Sequence, residues 1–518
     1  QRVDNLSTQS ADSQLQRGIS LHALKQYSEA QQQFDTLIQH HPKMPDAYLA
    51  RGKTNTALKQ YDAAIKDYNH AKQLNPSTDI HLLRGDAFAK QQKYQLAIQD
   101  YQQSINHKKQ LALSYFQRGK LYLEIDEYIK ALHDLNEALT LSPTNTDMLI
   151  ARGNTLLSLG RLEEAQSDYQ KASGISPNIA DTYLGSGKIH HLKNQLNEAT
   201  KAFSQSLEHQ KSASAFHLRG NVYKEQNKPA LAISDYSTAL DLQPDAADIY
   251  QARGDLYFSQ KQYKAAVTDF TKALAIKPNL KISHANLGSA LFHTGQYQSA
   301  LKPLISASQR DTDDPNIFSV TGQTLLKLGQ LKKAVPYLNK ALSLNPDLTS
   351  ALNARGRLFL RAKLYSKAAD DFQKILATAP KTANLHKNLG DTYLGLKQHK
   401  KAIDAFTQAI KENPKEALPY YQRGGARFIL YQDKQALADY TKVIELKPEF
   451  HGGYTQRGHV LAAQKKYPAA IDDYNKSLSL KPKVSWVYFK RGNAYYMQGQ
   501  YEEALNSFDE SIALDSNK

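Results

Sequence analysis

The chain has 518 residues, 66 Lys plus Arg against 50 Asp plus Glu, a formal charge of +16, and no cysteine. With 41% apolar and 22% charged residues it is not a disordered chain. The missing thiols exclude disulfides, thiolate nucleophiles and cysteine metal sites, and no apolar run is long enough to span a membrane.

In chain order, residues 1–10 read as a polar tail, and from residue 11 one pattern repeats to the end. Arg-Gly stands at Arg17-Gly18, Arg51-Gly52, Arg84-Gly85, Arg118-Gly119, Arg152-Gly153, Arg219-Gly220 and Arg253-Gly254. It stands again at Arg355-Gly356, Arg423-Gly424, Arg457-Gly458 and Arg491-Gly492. In the gaps the Gly stands alone, as Gly187, Gly288, Gly322 and Gly390. Of the fourteen spacings between these glycines, twelve are 34 residues and two are 33. With Gly at position 8, repeats start at 11, 45, 78, 112, 146, 180, 213, 247, 281, 315, 349, 383, 417, 451 and 485. Position 20 is Ala in all fifteen, position 24 is Phe, Tyr or Leu, and position 32 is Pro in eleven.

Each repeat predicts two helices. Positions 1–14 carry apolar residues at helical spacing, as in Tyr115, Phe116, Gly119 and Tyr122. A turn follows, closed in some repeats by a Gly suited to a helix C-cap: Gly160, Gly295, Gly329 and Gly499. The second helix ends at Pro. Gly inside a helix costs about 0.5–1 kcal/mol relative to Ala. The small residues at positions 8 and 20 should offset this by letting the paired helices approach, with the ring at position 24 packed over the gap. A lone repeat cannot bury both faces, so neighbours should stack.

The pattern resembles the tetratricopeptide repeat family over residues 11–518, departing from it where the family's frequent Trp at position 4 is replaced by Tyr48, Tyr115, Tyr183, Phe216 or His284. The resemblance implies an all-α, right-handed solenoid, a superhelix of fifteen helix-turn-helix units that binds a protein or peptide in a groove lined by the first helices.

Position 23 is Asp in nine repeats, and each of the nine has Arg at position 7. The four repeats without the Arg carry Ala202, Pro303, Tyr337 and Ala405 instead. This internal covariation predicts an ion pair joining the two helices of one repeat. The pairs are Arg51–Asp67, Arg84–Asp100, Arg118–Asp134, Arg152–Asp168, Arg219–Asp235, Arg253–Asp269, Arg355–Asp371, Arg423–Asp439 and Arg457–Asp473. A structural clamp is the expected role, in preference to an anion-binding stripe.

The positive charge is local. Residues 315–484 carry 28 basic and 13 acidic residues, hence +15. The resemblance places positions 2, 5, 9, 12 and 13 on the groove. In the basic third these include Lys327, Arg357, Arg361 and Lys387, with the aromatics Tyr421, Phe428, Trp486, Phe489 and Tyr496. Such a groove suits an acidic or extended peptide, a polyanion or a sugar chain. No nucleic-acid motif is present, which disfavours that class. No three consecutive repeats match the Lys/Asn set with which some family members clamp a C-terminal carboxylate.

Phosphate-loop, HExxH and G-x-S-x-G motifs are missing. The adjacent His pairs, His40-His41 and His190-His191, lack a carboxylate at ligand spacing. No enzyme activity, metal or cofactor is expected. The acid-rich last helix, from Tyr501 to about Leu514, is expected to cap its end. An acidic last repeat docking on a basic region of another copy would propagate, so a self-assembling exported protein, fibrous or glycan-associated, is the alternative. Zero Cys and a start at Gln1 without a charged-then-apolar leader lead us to expect a processed bacterial exported protein. Asn5-Leu6-Ser7 and Asn475-Lys476-Ser477 are glycosylation-like triplets.

Overall fold

The structure, a computed structural model, describes residues 2–310, 313–378 and 382–515, with the backbone alone at 2–10, 281–282 and 383. Gln1 and the side chains of residues 2–10, read as a polar tail, lie outside that description. The backbone from Arg2 belongs to the first helix, Arg2–Ala23. The described residues form thirty α-helices and no strand. They fall into two compact bodies, 1–249 and 250–518, each an α-solenoid of stacked helix pairs.

The pairing follows from the repeat. In the second repeat, Pro45–Ala57 is joined to Tyr61–Leu74 by three residues. A link that short between helices that pack on each other forces the chain to reverse. The contact explains the glycines more directly than helix approach alone. The ring at position 24 lies on the glycine's α-carbon: a Cβ built on Gly52 would come 2.5 Å from Tyr68, and one on Gly153 would come 2.8 Å from Tyr169. Backbone crowds the same space from the other side, with the Ala470 carbonyl 3.1 Å from a Cβ at Gly458. The position-20 alanines, from Ala30 to Ala470, have no exposed surface.

The turns share one device. The fifteenth residue of every repeat is left-handed, with φ between 57° and 80°. Four of them are Gly160, Gly295, Gly329 and Gly499, and the other eleven include Lys59, Asn194 and Tyr431. The amides close a Schellman motif: Gln60 N–H donates to the Asn55 carbonyl at 2.8 Å and Lys59 N–H to the Thr56 carbonyl at 3.1 Å.

The loss of Trp at position 4 also has a local reading. Tyr48 Oη donates to the Pro42 carbonyl at 3.1 Å, Tyr183 Oη to Pro177 at 2.9 Å, and the His284 ring nitrogen Nε2 lies 3.0 Å from the Pro278 carbonyl. A ring with a polar tip ties the start of one repeat to the end of the one before.

Candidate functional site: the face formed by the first helices

Two arrangements were anticipated, the Arg–Asp pairs and the groove residues. In all nine pairs the guanidinium donates from Nε and Nη2 to both oxygens of the same repeat's Asp, at 2.6–3.1 Å. The nine carboxylates are buried. The two-pronged geometry is charge-assisted. The bond to Asp168 holds the Arg152 guanidinium above its ordinary pKa, against the pull of burial.

The clamp reaches further than its own repeat. Nη1 of Arg51 donates to Asp35 at 2.7 Å, that of Arg84 to Asn69 at 2.6 Å and that of Arg152 to Asn136 at 3.0 Å. Arg118 bonds Gln102, Arg219 bonds Ser204, Arg355 bonds Asn339 and Arg423 bonds Thr407. Each acceptor is position 25 of the preceding repeat. One guanidinium therefore joins two helices of its own repeat to the repeat before. Arg491, which has no Asp partner, bonds Ser507 and Asn475. These arginines are occupied structurally and leave the first-helix face to other residues.

On that face the second body carries a cavity of about 710 Å3 between Thr349–Arg361 and Ala383–Gly395, the first helices of repeats eleven and twelve. Arg357, Lys387, Asn353, Asn384 and Asn388 line it. Arg357 is exposed, and Lys387 is half-buried, donating to Glu416 at 2.8 Å and Asn384 at 3.1 Å. Below Lys387 on the same helix, Asp391 has a buried Oδ1 without a hydrogen-bond partner among the described residues. Burial pushes the Asp391 carboxyl up to about 6, against the opposing pull of Lys387 and a hydrogen bond from Gln422. A second depression, of about 830 Å3, is lined by Asn339 of repeat ten and by residues of repeat eleven from Arg355 to Ala377. There Arg355 is bound to Asp371, and Lys367 and Lys374 stand with Asp370, so three bases meet two acids.

The other anticipated residues separate. Arg361 is exposed at the end of its helix, and Lys327 lies 5.8 Å over the Tyr297 ring. Tyr421 and Phe428 do not form a free platform. Tyr421 is half-buried, edge-on to Tyr440 at 5.8 Å and Phe450 at 5.4 Å, and Phe428 packs on His459 at 5.2 Å. Both fill the joint between repeats. Trp486, Phe489 and Tyr496 are open to solvent, at 43%, 47% and 58% exposure. In the last helix, Tyr501–Asp515, the acids sit beside exposed Tyr501, Leu505 and Ile512. Three amides on the cavity, Asn353, Asn384 and Asn388, went unsingled in the sequence, although two of them occupy positions 5 and 2.

Sequence models of the tetratricopeptide repeat match residues 15–79, 48–109, 112–145, 146–179, 217–280, 320–383, 383–416 and 485–518, and a TPR repeat model matches 458–499. Together the matched stretches cover more than half of the chain. The chain belongs to the tetratricopeptide repeat family. Its members are generally non-catalytic scaffolds that bind protein or peptide partners. Comparison with curated protein sequences finds no match. Among solved structures, this TPR array is similar to the Cut9–Hcn1 hetero-tetramer of the APC/C. The identity is 15%, covering 92% of this chain and 94% of that one, with a TM-score of 0.35. It is similar to YrrB, described as a TPR protein with an unusual peptide-binding site, at 21% identity over 36% of this chain and 95% of that one, TM-score 0.34. A tetratricopeptide repeat protein from Parabacteroides merdae matches at 22% identity over 50% of this chain and 98% of that one, TM-score 0.35. Among the described residues of the array, no helix is long and apolar enough to cross a membrane, and no group of three or more His, Asp or Glu is placed to hold a metal ion.

Proposed function

We propose that this chain is a non-enzymatic scaffold that holds an extended, acidic segment of a protein partner on the first-helix face of its C-terminal repeats. The observation that carries the reading is the cavity of repeats eleven and twelve, where Arg357 and Lys387 stand with three asparagine side chains. An extended peptide offers backbone N–H and C=O groups, which side-chain amides can pair in either sense. Its carboxylates would be met by Arg357 and by Lys387, in exchange for the present half-buried partner of Lys387, Glu416. The exchange gives the half-buried Lys387 ammonium one carboxylate in place of another, so it is not left unpaired. Trp486, Phe489 and Tyr496, at groove positions of repeat fifteen and open to solvent, would add apolar contact area for a longer segment.

The test is fluorescence anisotropy of a labelled acidic peptide carrying Asp and Glu at alternate positions, against the chain and its Arg357→Glu variant. The proposal expects binding that weakens about tenfold in the variant, since attraction becomes repulsion at one contact. Equal binding by both proteins would refute this site.

A further inference from the structure

The first body carries a cavity of the opposite character at the same register. It lies on the first-helix face of repeats four to six and holds about 430 Å3, within the range of small ligand pockets. Its floor is apolar: Phe116 and Ile150 are 9% and 7% exposed, with Leu123 and Ile179 beside them. Its rim carries Glu124, Asp147 and Asp181, all exposed, and one base, Lys120. Lys120 lies 5.0 Å over the Phe116 ring. Three acids against one base leave the rim negative.

Helix electrostatics account for only part of this. Asp147 and Asp181 lie in the first turns of Thr146–Ser158 and Ala180–Leu192, where an acid suits the helix dipole. Glu124 is the last residue of Leu111–Glu124, where an acid opposes it. Glu124 accepts a hydrogen bond from Tyr94 Oη at 3.0 Å, and neither Asp147 nor Asp181 has an ion pair among the described residues. The internal comparison sharpens the point. Position 2 is Asp147 and Asp181 here but Ser350 and Asn384 at the C-terminal cavity; position 5 is Phe116 and Ile150 here but Asn353 and Lys387 there.

We propose that the face of repeats four to six binds a second peptide segment of the opposite charge, an apolar anchor residue flanked by Lys or Arg. The anchor seats on Phe116 and Ile150. The flanking cations meet Asp147, Asp181 and Glu124. Charge complementarity selects this occupant, because an acidic segment would face three like charges and an uncharged apolar one would leave the rim unpaired.

Three labelled peptides test this by anisotropy with the full chain: a Lys-flanked Leu peptide, the same peptide with Leu replaced by Gly, and a Glu-flanked Leu peptide. The Lys-flanked Leu peptide should bind tightest. The Gly version should bind about tenfold more weakly, the loss expected when a Leu side chain is no longer buried. The Asp147→Asn/Asp181→Asn variant should weaken the Lys-flanked Leu peptide about tenfold, with binding of the acidic peptide of the C-terminal site unchanged. Glu124→Gln should act in the same direction, which keeps the test open if the double variant loses helical circular dichroism. Equal binding of the Leu and Gly peptides would mean unspecific attraction to acids and overturn the site. Unchanged binding by the rim variants would do the same.

Discussion

At the scale of single residues, the nine clamps are the best-defined interactions in the chain. The Arg118–Asp134 pair is the most enclosed of those with both partners measured, at 9% and 2% side-chain exposure. A buried pair contributes little over a well-packed apolar replacement, but removing one partner strands the other charge. Asp134→Ala should therefore destabilise the fold by about 3–5 kcal/mol, and Arg118→Met/Asp134→Leu by less than half of that. Urea unfolding of the two variants checks this, and an equal loss in both would remove the stranded-charge argument. Asp391 yields a pH prediction. Its carboxyl titrates near 6, so it is largely neutral at pH 5 and charged at pH 7.5. A carboxyl raised in the folded state contributes stability that is complete below its unfolded value, near 3.9, and is lost as pH rises through 6. The charge that appears lies beside Lys387 and offsets it. Acidic-peptide binding should hence tighten between pH 7.5 and 5.5. The Asp391→Asn variant, which should lose part of the pH dependence, isolates the carboxyl's share. An identical pH profile in that variant would exclude Asp391.

At the scale of the helix pair, the left-handed residue at position 15 separates sequence from conformation. Fifteen chains of atoms adopt one turn with Gly, Asn, Asp, Lys, Gln or Tyr at its centre. A side chain there costs about 1–2 kcal/mol. Tyr431 is almost fully exposed and has φ 59°, so Tyr431→Gly should raise stability by about 1 kcal/mol. Gly329→Ala should lower it by a similar amount, because a Cβ there meets nothing within 4 Å and only the backbone is strained. Thermal midpoints of the two variants should move in opposite directions. The same scale shows what sequence can hold. The contact between Gly at position 8 and the side chain at position 24 was legible because fifteen copies keep the Gly and all carry Phe, Tyr or Leu opposite it. The third arm of the clamp was not legible, because its acceptor is Asn69, Asn136 or Asn339 in three repeats but Asp35, Gln102, Ser204 or Thr407 in others. They share only an acceptor oxygen at the right place. Nor could the burial of Tyr421 be read from its position, since its neighbour Phe450 comes from the loop before the next repeat. Asp391 likewise gave no signal, because its orphaned oxygen is a property of the surrounding packing.

At the scale of the whole molecule, one repeated frame carries different chemistry at the same positions. The clamps, the Gly–ring contacts and the turns recur in both bodies and set the frame. Positions 2, 5 and 9 of the first helices vary freely, since they face away from those contacts, and there the side chains turn from Asp147, Phe116 and Lys120 to Ser350, Lys387 and Arg357. The net charge of +16 thus says less about binding than which charges reach this face. Hydrogen exchange of the chain, with and without the acidic peptide, tests the scaffold account most directly. It should show protection concentrated in Thr349–Arg361 and Ala383–Gly395, with the second helix between them, Tyr365–Thr378, unchanged. Protection confined to the second-helix side, around Lys367 and Lys374, would contradict it.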